Sequence, residues 1–539
     1  MDYLSLCLIC KDENEYLPEW LDYHILMGVD RFYIYDNESR TSLRESLRDY
    51  IERGWVLVVD IGGRARQLYA YDHCLQSFGG NTVWMGFVDT DEFLVPKNAL
   101  GLKELLKEYE GYGGVAVSSL FFGSNGHRAR PSVGQIAAYT TCVHESFNEY
   151  EYIKSIVQPS RVLVPNSPHD FIYKDASYCV NENFIRVDGQ HFPVSTKRIQ
   201  LNHYYCRSEE EIERKLQRGR GALNASWPRR RFDMINLLAT HEETSILHNL
   251  ENTFQQAGIN SNGLPLEPGM SHLLENIAVL AKVRPSPAFE AIVPPEGFTI
   301  RDEFAKIAAL REEIQAALGR NDFLAAKNLM TARLQMLPQL IPLYADLANC
   351  LLDLGDPESA WQVLGLAWQV SPNNYVLLGA MTFYFLRIKN FKMAENTCRL
   401  LLEMAPHDLI GLGMLTHSLL GQERFEEALR IGAPVVEISA KVGELPGRMG
   451  VFLVKKMADY LTEKKDYEGA LFLWENGVKC QPNDAGTLVE YSRALLVLGN
   501  KKIAQQSLLQ AQALDPQNEA VKNLLKQISE ADLPRRQRE

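Results

Sequence analysis

What this chain lacks narrows its class before any motif is read. It has no second cysteine pair to complete a metal set. Nine cysteines are scattered along the sequence, and the one C-x-x-C, Cys7 to Cys10, lies in a strand-like run where positions i and i+3 face opposite sides. They read as core thiols of a reduced protein. No basic segment precedes the opening apolar run Leu4 to Cys10, which is too short for a signal peptide or a membrane span. The expectation is a cytoplasmic chain with no membrane span. An excess of positive charge is missing as well: 56 Lys and Arg against 68 Asp and Glu leave a net charge of −12, which argues against broad nucleic-acid binding. A glycine-rich phosphate loop of the G-x-G-x-x-G kind is also absent, which weighs against a nucleotidyltransferase.

At 539 residues the chain exceeds one core, and its two halves differ in kind. Up to about residue 205, short β-branched and aromatic runs (YLSLCLIC, RFYIYDN, VLVVDI, GFVDT) alternate with helical patterns. This alternation predicts a parallel sheet covered by helices. Beyond residue 300 a repeat takes over. Ala326, Ala360, Ala394 and Ala428 stand 34 residues apart, as do Ala470 and Ala504 after a longer interval of 42. Proline follows five of these six alanines by 12 residues, and an aromatic precedes four of them by three, at Phe323, Phe391, Phe425 and Tyr467. The pattern resembles the tetratricopeptide repeat, in which a small residue lets paired helices pack closely and proline ends the second. It slips in the fourth unit, where Pro434 falls inside the expected second helix and VGELPGRMG is inserted; a kink or a longer loop is expected there. The expected layout is an α/β domain over 1–250, a Pro- and Gly-rich linker over 251–300, about six helix pairs over 301–532 and a tail over 533–539. Six such pairs would form a solenoid that recruits a partner or, alternatively, buttresses the α/β half.

The most informative segment is WMGFVDTDEFLVP, Trp84 to Pro96. An apolar strand ends abruptly in Asp89, Asp91 and Glu92. Ligands of open α/β sheets bind outside the carboxyl ends of the strands, where paired carboxylates suit a cation held against phosphate. A plain Asp-Thr-Asp turn is the alternative. Two earlier strand ends, carrying Lys11, Asp12 and Glu13 and then Asp36, would line the same crevice. Between Arg214 and Arg231 stand seven basic residues and no acid, on a helix that Ser208 and Glu211 can cap as a box. Either this is a solvated basic face, or Lys215 or Arg218, with Lys154, meets a pyrophosphate or an anionic acceptor.

The runs CLICKDENEYLPEWLDYHILMGVDRFYIYDNES, GFVDTDEF, SLFFGSNGH, KSIVQPSRV and NHYYCRSEEE, in this order over roughly residues 1 to 245, resemble glycosyltransferase family 92 and related family-2-like glycosyltransferases. The resemblance implies a GT-A type α/β domain binding a nucleotide sugar, usually a UDP-sugar, through Mn²⁺ or Mg²⁺. It makes Asp89 and Asp91 the D-x-D pair, gives Asp36 the base or ribose, and lets Lys11, Asp12 and Glu13 shape the same pocket. His203 would close the metal site, with His169 as competitor. An inverting transfer needs a carboxylate base, for which Glu145 and Asp170 are the candidates. Phe122 and Asn125 would cover and hydrogen-bond an acceptor sugar, unless they are core and a Ser-Asn-Gly turn. The implied function is transfer of a hexose, galactose favoured, to a glycan or protein acceptor, with the repeats recruiting acceptor or partner. The alternative is a non-catalytic scaffold that only binds the nucleotide sugar.

Overall fold

The computed structural model describes residues 1–97, 101–144, 152–218, 229–256, 301–442 and 450–531. Its strands are β1 (Asp2–Cys10), β2 (Arg31–Asp36), β3 (Val56–Asp60), β4 (Thr82–Phe87), β5 (Glu92–Pro96), β6 (Gly114–Phe121), β7 (Thr141–Val143), β8 (Ile153–Val157), β9 (Val162–Pro165), β10 (Phe171–Tyr173), β11 (Cys179–Val180), β12 (Arg186–Val187), β13 (Ile199–His203) and β14 (Ala239–Glu242). The apolar runs read from the sequence become β1 to β4, which pair in parallel in the order β3-β2-β1-β4. Register aligns Cys10 with Asp36 and Asp36 with Asp60, so the polar residues at successive strand ends share one edge.

Past β4 the sheet departs from the all-parallel expectation. β8 runs antiparallel between β4 and β6, and β13 runs parallel to β6 and antiparallel to β5. The sheet is therefore mixed. Hydrophobic runs look alike in either direction, so only the pairing reveals the reversal. The consequence is local: His203, the last residue of β13, faces Glu92, the first of β5. Trp20, Tyr23, Phe32, Trp84, Phe93 and Tyr204 are fully buried in the core beneath this region.

Thirteen helices follow among the described residues, from Asp302–Gly319 to Glu519–Ala531. The spaced alanines are the contact points: Ala326, Ala360, Ala394, Ala428 and Ala504 are fully buried and Ala470 nearly so. The repeat also carries its own start signals. Asp322, Asp356, Asn390 and Asp466 each accept a hydrogen bond from a backbone N–H three residues on, capping the second helix of a pair. One residue before each of these caps the chain adopts positive φ, at Asn321, Gly355, Lys389 and Lys465. Pro434 lies inside one continuous helix, Phe425–Val442, while most of the insertion after it lies outside the described residues.

The chain divides into two compact units, Met1–Leu377 and Leu378–Glu539, so the first helices of the repeat belong with the α/β domain. Arg301 pairs with Asp72, the rings of Phe304 and Tyr69 meet at 5.4 Å, and Asn374 donates to Asp188 at 2.6 Å. Much of the expected linker, 257–300, lies outside the described residues.

Candidate active site at the strand ends

Three acids follow β4, and each meets different neighbours. Asp89 is the most open, with 31% of its side chain exposed. Its Oδ1 accepts from Gln67 Nε2 at 3.0 Å and its Oδ2 from Lys154 Nζ at 2.9 Å. Asp91 is buried, and its Oδ2 accepts from Lys215 Nζ at 2.5 Å while Oδ1 faces His203 Nε2 at 3.7 Å. Burial alone would raise its pKa, but Lys215, His203 and Arg207 outweigh that and hold the carboxyl well below the usual range. Glu92 is the most deeply buried of the three. Its Oε2 lies 3.2 Å from Lys154 Nζ and accepts from the Asp89 N–H, whereas Oε1 has no hydrogen-bond partner among the described residues and sits 3.4 Å from His203 Nδ1. Burial pushes the Glu92 carboxyl up against the pull of Lys154.

His203 is the imidazole that the β13–β5 register delivers to the acids. Burial pushes its pKa down to about 3, so at neutral pH it is an uncharged donor. His169 is taken up by the backbone beside Lys154, its Nδ1 donating to the Ile153 carbonyl at 2.9 Å. Two carboxylates and a neutral imidazole suit a hard divalent cation. Among the described residues no three such side chains close on one point, since the ammonium groups of Lys154 and Lys215 each hold one oxygen of the pair. The open Asp91 Oδ1 beside His203, and the unpartnered Glu92 Oε1, are the oxygens left facing this corner. Carboxylate oxygens and an imidazole nitrogen are ligand types that such cations accept.

Lys154 and Lys215, expected to meet a pyrophosphate, are thus found on the acids themselves. Of the expected capping box the Glu211 half forms: Glu211 Oε2 accepts from the Ser208 N–H at 3.1 Å and from the Ser208 hydroxyl at 2.8 Å, at the start of the helix that carries Lys215. The basic run beyond is largely paired: Arg214 with Glu210, and Arg229 with Glu209, Glu213 and Asp233.

Several expected ligand residues serve the scaffold instead. Asp12, at φ 58°, accepts from the Arg40 backbone N–H at 2.8 Å, and Asp36 Oδ1 accepts from the Ser39 N–H at 2.9 Å. Lys11 lies 3.9 Å from Glu38 at the surface. Glu13 is buried against Arg207 at 2.8 Å. Phe122 is fully buried against Tyr204, and Asn125, at φ 48°, accepts from Thr141 Oγ1 at 2.9 Å. That is the core-and-turn alternative, and it leaves no ring face for a sugar. Asp170 is buried with its carboxylate taken by Asn166 and Ser167, and Glu145 lies outside the described residues. Gln67 and Arg207 were not singled out from sequence. Arg207, in CRSEEE, stands inside a quoted motif and lies flat over Tyr16 at 3.7 Å; Gln67 gives no signal, since it is joined to Asp89 only by folding.

Residues 3–216 match the family model for glycosyltransferase family 92. A glycosyltransferase family 92 protein of Ricinus communis is 28% identical over 185 residues, covering 33% of this chain and 33% of its own length. One from Oryza sativa subsp. japonica is 27% identical over 184 residues, covering 33% and 31%. The chain thus spans about a third of the length of these curated relatives. Among solved structures, similarity is found to YrrB, a TPR protein with an unusual peptide-binding site (15% identity, 36% of this chain, 97% of that one, TM-score 0.28). Pseudomonas aeruginosa PilF is similar at 17% identity over 42% of this chain and 100% of its own, with TM-score 0.32. The similarity to glycosyltransferase family 92 thus lies in residues 3–216, on one chain with a C-terminal run of paired helices.

Proposed function

We propose that this chain transfers a hexose, galactose favoured, from a UDP-sugar to a glycan or protein acceptor, with inversion, and that its repeats recruit the acceptor or a protein partner. The observation that carries the reading is the approach of His203 to Asp91 and Glu92 at the strand ends of the stretch that matches glycosyltransferase family 92, set by the pairing of His203 with Glu92, with Asp89 two residues from Asp91. Asp89, Asp91 and His203 would hold Mn²⁺ or Mg²⁺, which when bound neutralises the donor pyrophosphate and stabilises the departing diphosphate. Lys154 and Lys215 each fix one oxygen of the two carboxylates, and Lys215 helps hold the Asp91 carboxyl below the usual range. The acceptor hydroxyl would attack the anomeric carbon as the diphosphate leaves, its proton passing to a carboxylate. Glu145 remains the candidate for that base, given the hydrogen bonds that occupy Asp170.

A second reading is favoured by one observation: both acids already carry an ammonium partner. In it the domain binds the nucleotide sugar without turning it over and the chain acts as a scaffold. Release of UDP from a panel of sugar nucleotides, with Mn²⁺ and with chelator, decides. UDP release that needs the cation supports transfer. Full activity in chelator removes the metal, and tight donor binding with no release from any donor selects the scaffold.

A further inference from the structure

Each oxygen of the Asp89 carboxylate is held by one group, and both groups sit on elements that the first repeat helices grip. Gln67, which donates to Oδ1, opens the helix Gln67–Phe78. Five residues on, Asp72 forms an ion pair with Arg301, which also donates to the Leu163 carbonyl at 3.1 Å, and Tyr69 packs edge-on against Phe304 of the helix Asp302–Gly319. Lys154, which donates to Oδ2, is the second residue of β8. Both its chain neighbours are tied to His169: Ile153 O accepts from His169 Nδ1 at 2.9 Å, and Ser155 Oγ donates to His169 O at 2.7 Å. The turn that carries His169 is itself clamped from the repeat. Arg311 Nη1 donates to Asn166 O at 2.8 Å and Arg333 Nη2 to Asn166 Oδ1 at 2.9 Å, while Asn166 Nδ2 donates to Asp170 at 2.7 Å.

We propose that the first repeat helices position Asp89: Arg301 acts through the helix Gln67–Phe78 and Gln67, and Arg311 and Arg333 act through the Asn166–Asp170 turn and Lys154. These arginines are positioning residues, since none touches the acid pair. Arg333 is buried and none of the described carboxylates lies within ion-pairing distance of it, so displacing the turn would cost a buried guanidinium the Asn166 acceptor. The repeat is thereby coupled to the donor site through packed and hydrogen-bonded elements with no shared ligand.

The inference rests on the proposed function only for its effect on turnover, so its primary test does not use activity. Amide hydrogen exchange of the full-length chain is compared among wild type, Arg301→Gln, Asn166→Ala and the control Gln339→Ala, which loses a contact to Tyr173 O in the same seam. Expected is exchange about tenfold faster in the segment 82–96 for Arg301→Gln and in 152–157 for Asn166→Ala, with neither segment altered in the control. In the same variants kcat should fall about tenfold with a smaller change in KM. Faster exchange confined to 67–78 and 301–320, or an equal response in Gln339→Ala, overturns the coupling. Should one arginine or asparagine variant fail to fold, the other decides alone. A wild type that turns over no donor, yet shows the expected exchange pattern, removes the proposed function and leaves the coupling standing.

Discussion

The α/β region and the helical repeat place their polar residues in opposite ways. In the repeat, acids and amides recur at fixed intervals at helix starts, where each satisfies backbone N–H groups of its own helix, as Asp322 and Asp356 do. The solution is local and is used again and again. In the α/β region, the acids Asp89, Asp91 and Glu92 of one short segment meet Lys154, His203 and Lys215 from three other parts of the chain, each partner supplied by folding. A polar residue that recurs with the period is there to build the fold. One that is buried out of period, against a partner brought from a distant part of the chain, is there for something else.

The sharpest way to break this comparison is to remove an acid from the corner. Asp91→Asn is expected to lower turnover by about three orders of magnitude. It also leaves Lys215 buried without its counter-charge, so it should destabilise the first unit by about 3–5 kcal/mol, visible in chemical denaturation. This differs from a purely functional acid, whose loss would leave stability unchanged. Adding Lys215→Met should restore most of the stability and none of the activity; recovery of turnover would disconnect Asp91 from the chemistry.

Metal affinity separates the two histidines. His203→Ala should weaken Mn²⁺ binding about 10- to 100-fold in a titration, and His169→Ala by much less. The reverse order would move the ligand to His169.

The boundary between the regions can be moved by truncation. A chain ending at residue 377 keeps the Arg301, Arg311 and Arg333 contacts and should melt close to the first transition of the intact protein. One ending at residue 300 loses them and should melt about 10 °C lower or fall out of solution. Equal melting temperatures would show the repeat to be separable at 300 after all.

The smallest expected effect lies in the repeat. Lys389, Glu423 and Lys465 adopt positive φ near 60° at the turns between paired helices, where Gly355 and Gly499 stand in equivalent positions. Replacing each by glycine should stabilise the second unit by about 0.5–1 kcal/mol without touching the first unit's transition.

How far the sequence could be read follows from the same contrast. The repeat was legible because its signals are periodic and local: small residue, cap and proline recur in one register. The first four strands and the acids at their ends were legible for the same reason, each strand announcing itself by its own residues. The antiparallel insertion of β8 was not, because a five-residue strand such as IKSIV carries no mark of direction, and with it went the placement of Lys154. Asp12, Asp36 and Asn125 looked like ligand residues because turn chemistry and ligand chemistry draw on the same side chains. Phe122 looked like a sugar platform because the ring next to a turn is as often core as surface, and only burial distinguishes the two.

All nine cysteines are reduced and buried, and they are unevenly shared: seven lie in the first unit and only Cys398 and Cys480 in the second. Burial keeps a thiol protonated and out of reach, as at Cys179, Cys398 and Cys480, each pushed up to about 12 by burial. The folded chain should therefore be nearly silent to alkylating reagents, and every thiol becomes a clock that starts when its own neighbourhood opens. Mass spectrometry of timed alkylation would then report the lifetime of each unit in one unmodified molecule, with no probe added to either.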